Sequence, residues 1–144
     1  MDAFDNIKVG ASKADYFRAL ILYKHGGIYS DIDNKLKVRL TTLLSNDTEF
    51  MCAKCNDIYD CCILGCNPGN PVIKQYLDNI YENIKNKTEG TSFDVTGPTV
   101  LQNAIKSHDV KPTCIKMFDH FNDYYKIHKY DHQYVSWDKY KSIF

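Results

Sequence analysis

Two carboxylates one residue apart, Asp31 and Asp33, follow a Gly26-Gly27 break and the short run I-Y-S-D-I-D. Oxygen-only ligands of this kind suit a hard divalent cation, Mg²⁺ or Mn²⁺. Mg²⁺ takes one or two carboxylates and fills its shell with water and substrate phosphate, so a pair suffices where the substrate is a diphosphate. An EF-hand is excluded, because Lys35 and Leu36 stand where the third ligand and the glycine belong. Alone, a D-x-D pair is more often solvated than metal-bound, and its surroundings decide. Asp15 and Arg18 lie three residues apart, which makes them neighbours on a helix surface. Asp can accept hydrogen bonds from sugar hydroxyls and Arg can bracket a sugar or phosphate. The same pair can equally be a surface ion pair worth about a kilocalorie or less. Spacing does not choose between them.

The elements that must carry these residues are legible as pattern. Ser12 is placed as a helix N-cap, with Asp15 three residues on in the manner of a capping box. Ala14, Phe17, Leu20, Ile21 and Lys24 follow helical spacing and define an apolar face, with Asp15, Arg18 and Leu22 on another. Gly26 suits the left-handed end of that helix, and Gly27 a sharp entry into a strand. In an extended chain Tyr29, Asp31 and Asp33 project to one side. Asp is a poor strand former, so the strand is expected to end at or between the aspartates. Open α/β sheets place ligands at such strand ends.

Residues 35–44 read as a short strand or a short helix. Residues 50–54 and 61–65 read as two strands, joined by a polar loop over 55–60. Asn70 is an N-cap and Pro71 a first helical residue, before a stripe of Ile73, Tyr76, Leu77, Ile80 and Ile84. Thr96-Gly97-Pro98 opens a shorter helix with Val100, Leu101, Ala104 and Ile105 inward, and residues 114–118 form a last strand. The chain reads as one α/β domain over residues 1–144.

Eighteen basic and eighteen acidic residues cancel, so no electrostatic footprint for nucleic acid or an anionic membrane exists. No apolar run approaches the ~18 residues that would mark a transmembrane segment, and M-D-A-F-D-N does not resemble a signal peptide. A cytoplasmic protein, or a soluble fragment of a longer one, is expected. The sequons at Asn46 and Asn86 matter only in a secreted chain. Cys52, Cys55, Cys61, Cys62 and Cys66 fit no standard four-ligand zinc spacing. With Cys114 they read as small apolar strand residues, ahead of zinc or a disulfide.

The stretch A-S-K-A-D-Y-F-R-A-L-I-L-Y-K-H-G-G-I-Y-S-D-I-D resembles the signature of the DXD-containing glycosyltransferases of family 32. That group includes yeast-type α-1,6-mannosyltransferases and capsular sugar transferases, and the glucosylating toxins carry a related core. The signature elements fall on Ala11 or Ala14, Asp15, Arg18, Tyr23, Gly26, Gly27, Tyr29, Asp31 and Asp33. Thr96-Gly97-Pro98 is similar to the family's Gly-Pro element, and His132 with Ser136-Trp137 to its C-terminal His…Ser-Trp segment.

The resemblance implies a GT-A-like mixed sheet flanked by helices, a UDP- or GDP-hexose donor, and Mn²⁺ or Mg²⁺ at the D-x-D. It implies transfer with retention to a glycan, lipid or protein acceptor. Asp31 and Asp33 would be the catalytic metal-binding pair, with His132 or Ser136 added to the metal shell. Asp15, Arg18, Tyr29 and Trp137 would hold the donor. His25, His108, His120 and His128 are given no role, and most tail tyrosines, such as Tyr124, Tyr125, Tyr130 and Tyr134, are expected to pack on the sheet. Family members normally begin with an N-terminal strand–helix portion that forms most of the nucleoside pocket, and this chain is read as lacking it. A truncated, inert sugar- or partner-binding module is therefore the alternative, and a zinc-binding adaptor a more distant one. Donor sugar and acceptor are not encoded in these motifs.

Overall fold

The D-x-D follows a helix and a strand packed against each other in a computed structural model that describes residues 3–36, 39–45, 47–117, 124–126 and 143. His132, Ser136 and Trp137, with His120, His128, Tyr130 and Tyr134, lie outside the described residues. After one turn of 3-10 helix, Ala3–Asn6, helix α1 runs Gly10–His25 and strand β1 Gly27–Ser30. Strand β2, Asn34–Leu36, and the single-turn helix α2, Leu40–Leu43, follow, so the 35–44 region holds both a strand and a helix. Strands β3, Phe50–Cys55, and β4, Ile58–Cys66, form a tight hairpin instead of flanking a polar loop over 55–60. Asn56 turns it with a φ of 53°, a conformation its short polar side chain tolerates. Helices α3, Pro71–Lys85, α4, Ser92–Val95, and α5, Pro98–Ser107, precede strands β5, Thr113–Met117, and β6, Tyr124–Lys126.

The expected mixed sheet flanked by helices is present. Its order is β1-β4-β3-β5, with β1/β4 and β3/β4 antiparallel and β3/β5 parallel. β2 and β6 form a separate antiparallel pair. Along β3, Phe50 and Cys52 join one core while Met51 and Ala53 join another, the two-residue period of a sheet buried on both faces. The larger core packs Ala19 and Leu22 of α1, Ile73, Tyr76 and Ile80 of α3 and Leu101 and Ala104 of α5 against Leu64 and Cys52. Cys52, Cys61 and Cys62 are buried strand residues, as small apolar side chains would be. Asn70 caps α3 as expected, its Oδ1 accepting from the N–H groups of Val72 and Ile73 at 3.0 and 3.2 Å.

Helix α1 departs from its periodicity twice. It begins at Gly10 behind Val9, which offers no side-chain cap. Ser12 lies inside the first turn, fully buried, with its hydroxyl on Ser92 Oγ at 2.8 Å. A tertiary partner has claimed the side chain that would have capped the helix. The apolar stripe also points the wrong way: Phe17 is 50%, Leu20 43% and Ile21 36% exposed. The face turned into the protein carries Ser12, Asp15, Arg18, Ala19 and Leu22. Burying polar groups is tolerable only where each meets a partner, and this face meets them all.

Candidate functional site

α1 and β1 are joined by a corner that demands glycine. Gly26 has a φ of 65°, donates its N–H to the Leu22 carbonyl at 2.8 Å, and a Cβ there would lie 2.6 Å from Pro68 Cδ. The chain then enters β1, where Tyr29 sits opposite Leu64 and Ser30 opposite Ile63. β1 ends at Ser30, one residue before the first aspartate. The Asp31 N–H still bonds the Cys62 carbonyl at 2.8 Å, and the Asn34 N–H closes a turn onto the Asp31 carbonyl at 3.1 Å. Asp33 is therefore held by a turn and not by strand alternation, and Ile32 at the tip is 98% exposed.

Beneath that turn lies a buried polar cluster. Arg18 Nη2 stands 3.3 Å from Asp15 Oδ1 and 3.3 Å from Asp31 Oδ1. Its Nη1 donates to the Cys61 carbonyl and its Nε to the Ala14 carbonyl. The guanidinium lies 4.5 Å from the centre of the Tyr29 ring, and the Tyr29 hydroxyl donates to Asp31 Oδ1 at 3.0 Å. Asp15 Oδ2 accepts from the Thr96 hydroxyl at 2.8 Å, and its Oδ1 from the Cys61 thiol at 3.4 Å. Tyr76 donates to the Thr96 carbonyl at 2.6 Å, tying α3 to the same point. Asp15 and Arg18 are 5% and 4% exposed, so the surface ion pair is ruled out as a description of them.

Burial raises the Asp15 carboxyl pKa, opposed by Arg18 and by the hydrogen bonds from Thr96 and Cys61. Burial works against the Arg18 charge, but Cys61, Asp15 and Asp31 outweigh it and raise its pKa. The Tyr29 hydroxyl is pushed up to about 12 by burial, with Asp31 adding to the effect and Arg18 opposing it. Burial likewise raises the Cys61 thiol and the Tyr76 hydroxyl. At neutral pH the cluster therefore holds an ionised guanidinium against two carboxyl groups, with its thiol and both phenols protonated.

Asp15, Arg18, Tyr29 and Asp31 are thus linked through Arg18 and Tyr29, and Asp33 follows two residues on, in the turn that the Asn34 N–H closes onto the Asp31 carbonyl. Among the described residues no group of three or more His, Cys, Asp or Glu side chains could hold a metal. The D-x-D offers two carboxylates, which fits a magnesium-like ion that shares its shell with water and phosphate. The next residue, Asn34, donates its Nδ2 to the Cys62 carbonyl and to Ser30 Oγ, and its Oδ1 is enclosed with no hydrogen-bond partner among the described residues. The donor set is all oxygen and suits a hard cation. Pattern reading took Ser12 as a helix cap and gave no site role to Cys61, Thr96 or Asn34. Only Thr96 carried a signal, as the residue before Gly97-Pro98.

Comparison with known proteins points to glycosyltransferases. A family profile described as "Glycosyltransferase sugar-binding region containing DXD motif" matches residues 1–50, which hold Asp15, Arg18, Tyr29 and both aspartates. That description is broader than family 32. An uncharacterized glycosyltransferase of Acanthamoeba polyphaga mimivirus is 29% identical over 111 residues, covering 75% of this chain and 43% of the viral protein. The PaToxG glycosyltransferase structure superposes with a TM-score of 0.56 at 22% identity, over 68% of this chain and 35% of that one. The fold is shared with that enzyme, and the chain spans less than half of either relative.

Proposed function

We propose that this chain is the core of a glycosyltransferase that moves a hexose from a UDP- or GDP-sugar to a glycan, lipid or protein acceptor with retention. The observation that carries the reading is the Asp15–Arg18–Asp31 cluster, which takes in the first aspartate of the D-x-D and lies inside the stretch that matches the DXD profile. Such a cluster costs desolvation energy, and it is well suited to fixing the direction of Asp31, whose side chain is partly open to solvent at 24% exposure.

In this reading Asp33 and Asp31 hold the divalent cation, Mn²⁺ or Mg²⁺. When bound, the cation offsets charge that builds on the diphosphate as the glycosidic bond breaks. The residues of the chain do the positioning. Tyr29 and Arg18 both engage Asp31 Oδ1 and so fix that carboxylate. Asp15 and Arg18, expected at the donor hydroxyls, are enclosed by protein, and we assign them the orientation of Asp31 from beneath. The Tyr29 hydroxyl keeps its proton to about pH 12 and so serves as a hydrogen-bond donor throughout the physiological range. His132 or Ser136 would add to the metal shell and Trp137 would donate its indole N–H to a phosphate oxygen.

Calorimetry with UDP-glucose, UDP-N-acetylglucosamine and GDP-mannose, each with and without Mn²⁺, tests the proposal on wild type and Asp33→Ala. Metal-dependent binding of one donor that the substitution abolishes is expected. Absence of binding to every nucleotide sugar would leave the chain as a sugar- or partner-binding module.

A further inference from the structure

The sheet register puts two cysteines side by side. Cys52 of β3 is the register partner of Cys114 of β5 in their parallel pair. The other cysteines of these ladders face different residues: Cys55 lies opposite Ile58 and Met117, and Cys66 opposite Gly27 and Phe50. Residues in register on neighbouring strands point to the same face. The next pair shows it here, since Ala53 and Ile115 both enter the second core. Neighbouring strands run about 4.7–4.9 Å apart, within the Cα separation of about 4.4–6.8 Å that a disulfide bridges. The sulfurs also meet. The Cys52 thiol hydrogen-bonds Cys114, and the Cys114 thiol donates onward to the Pro112 carbonyl at 3.4 Å. The two thiols differ in access: Cys52 is fully buried and Cys114 only half-buried. The hydrogen bond to Cys114, and then burial, raise the Cys52 thiol pKa, so Cys52 keeps its proton. Cys114 is therefore the sulfur that an oxidant in solution reaches first.

We propose that Cys52 and Cys114 form a redox-modification site, a dithiol that a hydroperoxide closes to a cross-strand disulfide between β3 and β5. In the first step Cys114 sulfur attacks the hydroperoxide. An S–O bond forms, the O–O bond breaks, and the thiol proton leaves with the departing oxygen as water. Cys52 sulfur, already against Cys114, then attacks the sulfenic sulfur. The S–S bond forms, the S–O bond breaks, and the hydroxyl leaves with the Cys52 proton as a second water. Two thiols are oxidised and one peroxide is reduced. A small dithiol such as dithiothreitol reverses the change by exchange. An accessible sulfur beside a resolving one is the arrangement that makes cysteine oxidation reversible, because the disulfide forms before the sulfenic acid can be oxidised further. The bond also has a mechanical effect. β5 ends the four-stranded order and pairs with β3 alone among the described strands. A covalent tie across that one ladder would restrict the unfolded chain over the whole stretch between the two cysteines, and so stabilise the fold.

Peptide mapping of the oxidised protein tests this without reference to turnover. Trypsin places Cys52 alone in residues 40–54, Cys114 alone in residues 107–116, and the other four cysteines in residues 55–74. Wild type is treated with hydrogen peroxide, blocked with iodoacetamide and digested without reductant. The expected product is peptide 40–54 linked to peptide 107–116, with titratable thiols falling by two from the six of the sequence. Dithiothreitol should restore both. Cys114→Ser should give no linked peptide. Cys52→Ala, oxidised with dimedone present, should be trapped as a sulfenic acid on Cys114. Oxidised wild type should melt about 5 °C or more above the reduced form, a gain absent from Cys114→Ser. The mapping of wild type decides the matter even if a variant fails to fold. Oxygen added to Cys114 with the peptides unlinked, a link to peptide 55–74 instead, or no loss of thiols would overturn the proposal. A linked pair with an unchanged or lower melt would overturn its stabilising effect.

Discussion

Replacing Arg18 by methionine keeps most of its bulk and removes its charge, which isolates what the buried cluster depends on. The guanidinium donates to two carbonyls and stands 3.3 Å from both Asp15 and Asp31. Asp15 and Arg18 are nearly closed to solvent, so neither water nor salt can replace the lost partner. Breaking a buried pair by deleting one member costs about 3–5 kcal/mol, chiefly because the other charge stays behind unpaired. The penalty has a pH signature. Burial already raises the Asp15 carboxyl, and Arg18 is the main influence lowering it. Without Arg18 the folded chain would keep that proton well above about 3.9, where an unfolded aspartate releases it. Across that window the unfolded state binds fewer protons, so Arg18→Met loses stability as pH rises until the folded pKa is passed. Adding Asp15→Asn removes the stranded charge and should recover roughly 1–3 kcal/mol. Urea unfolding followed by circular dichroism at about pH 5 and about pH 8 measures both effects. A double variant no more stable than Arg18→Met, with a loss independent of pH, would refute the reasoning.

Other consequences follow from single contacts. Thr96→Val keeps shape but strands Asp15 Oδ2, and should cost about 2 kcal/mol in the same urea assay, with Thr96→Ser near wild type. Gly26→Ala meets both a left-handed φ, worth about 1–2 kcal/mol by itself, and the Pro68 ring 2.6 Å away. A lowered melting temperature and a disturbed turn, seen as weaker Mn²⁺ binding, are expected together. Tyr29 should titrate at about 12 by phenolate absorbance, and Tyr29→Phe should delete that late step. An unfolded tyrosine releases its proton near pH 10, so the unfolded state binds fewer protons between that point and about 12, and stability falls as pH rises through the window.

Helices α3 and α5 were legible because their signals are local. Asn70 caps, Pro71 and Pro98 start, and Tyr76, Ile80, Leu101 and Ala104 repeat at helical spacing toward one core. The orientation of α1 was not, because what makes its polar face bury is distant in sequence. Thr96 is 81 residues from Asp15 and Cys61 is 43 from Arg18. Periodicity assigns Phe17, Leu20 and Ile21 to the interior, having no means of knowing that Asp15 and Arg18 find partners there. The residue types of the D-x-D and its attendant Asp15, Arg18 and Tyr29 could be read directly. The turn at residues 31–34 was legible only in part. Aspartate's poor strand propensity predicts an end at or between Asp31 and Asp33, close to the observed end at Ser30. The Asn34 hydrogen bond that folds the chain back onto Asp31 was not legible. Asn34 itself carries no pattern, since an orphan acceptor exists only once its neighbours are placed.

The central claim is that the turn behind β1 seats a divalent cation against Asp33 for a nucleoside diphosphate. Crystals grown with MnCl₂ and UDP or GDP, with data collected for manganese anomalous scattering, test it most directly. The account predicts an anomalous peak within coordination distance of the Asp33 carboxylate, bridged to the diphosphate and absent in Asp33→Ala. A diphosphate bound with manganese elsewhere, or no peak at this turn under saturating Mn²⁺, would contradict it.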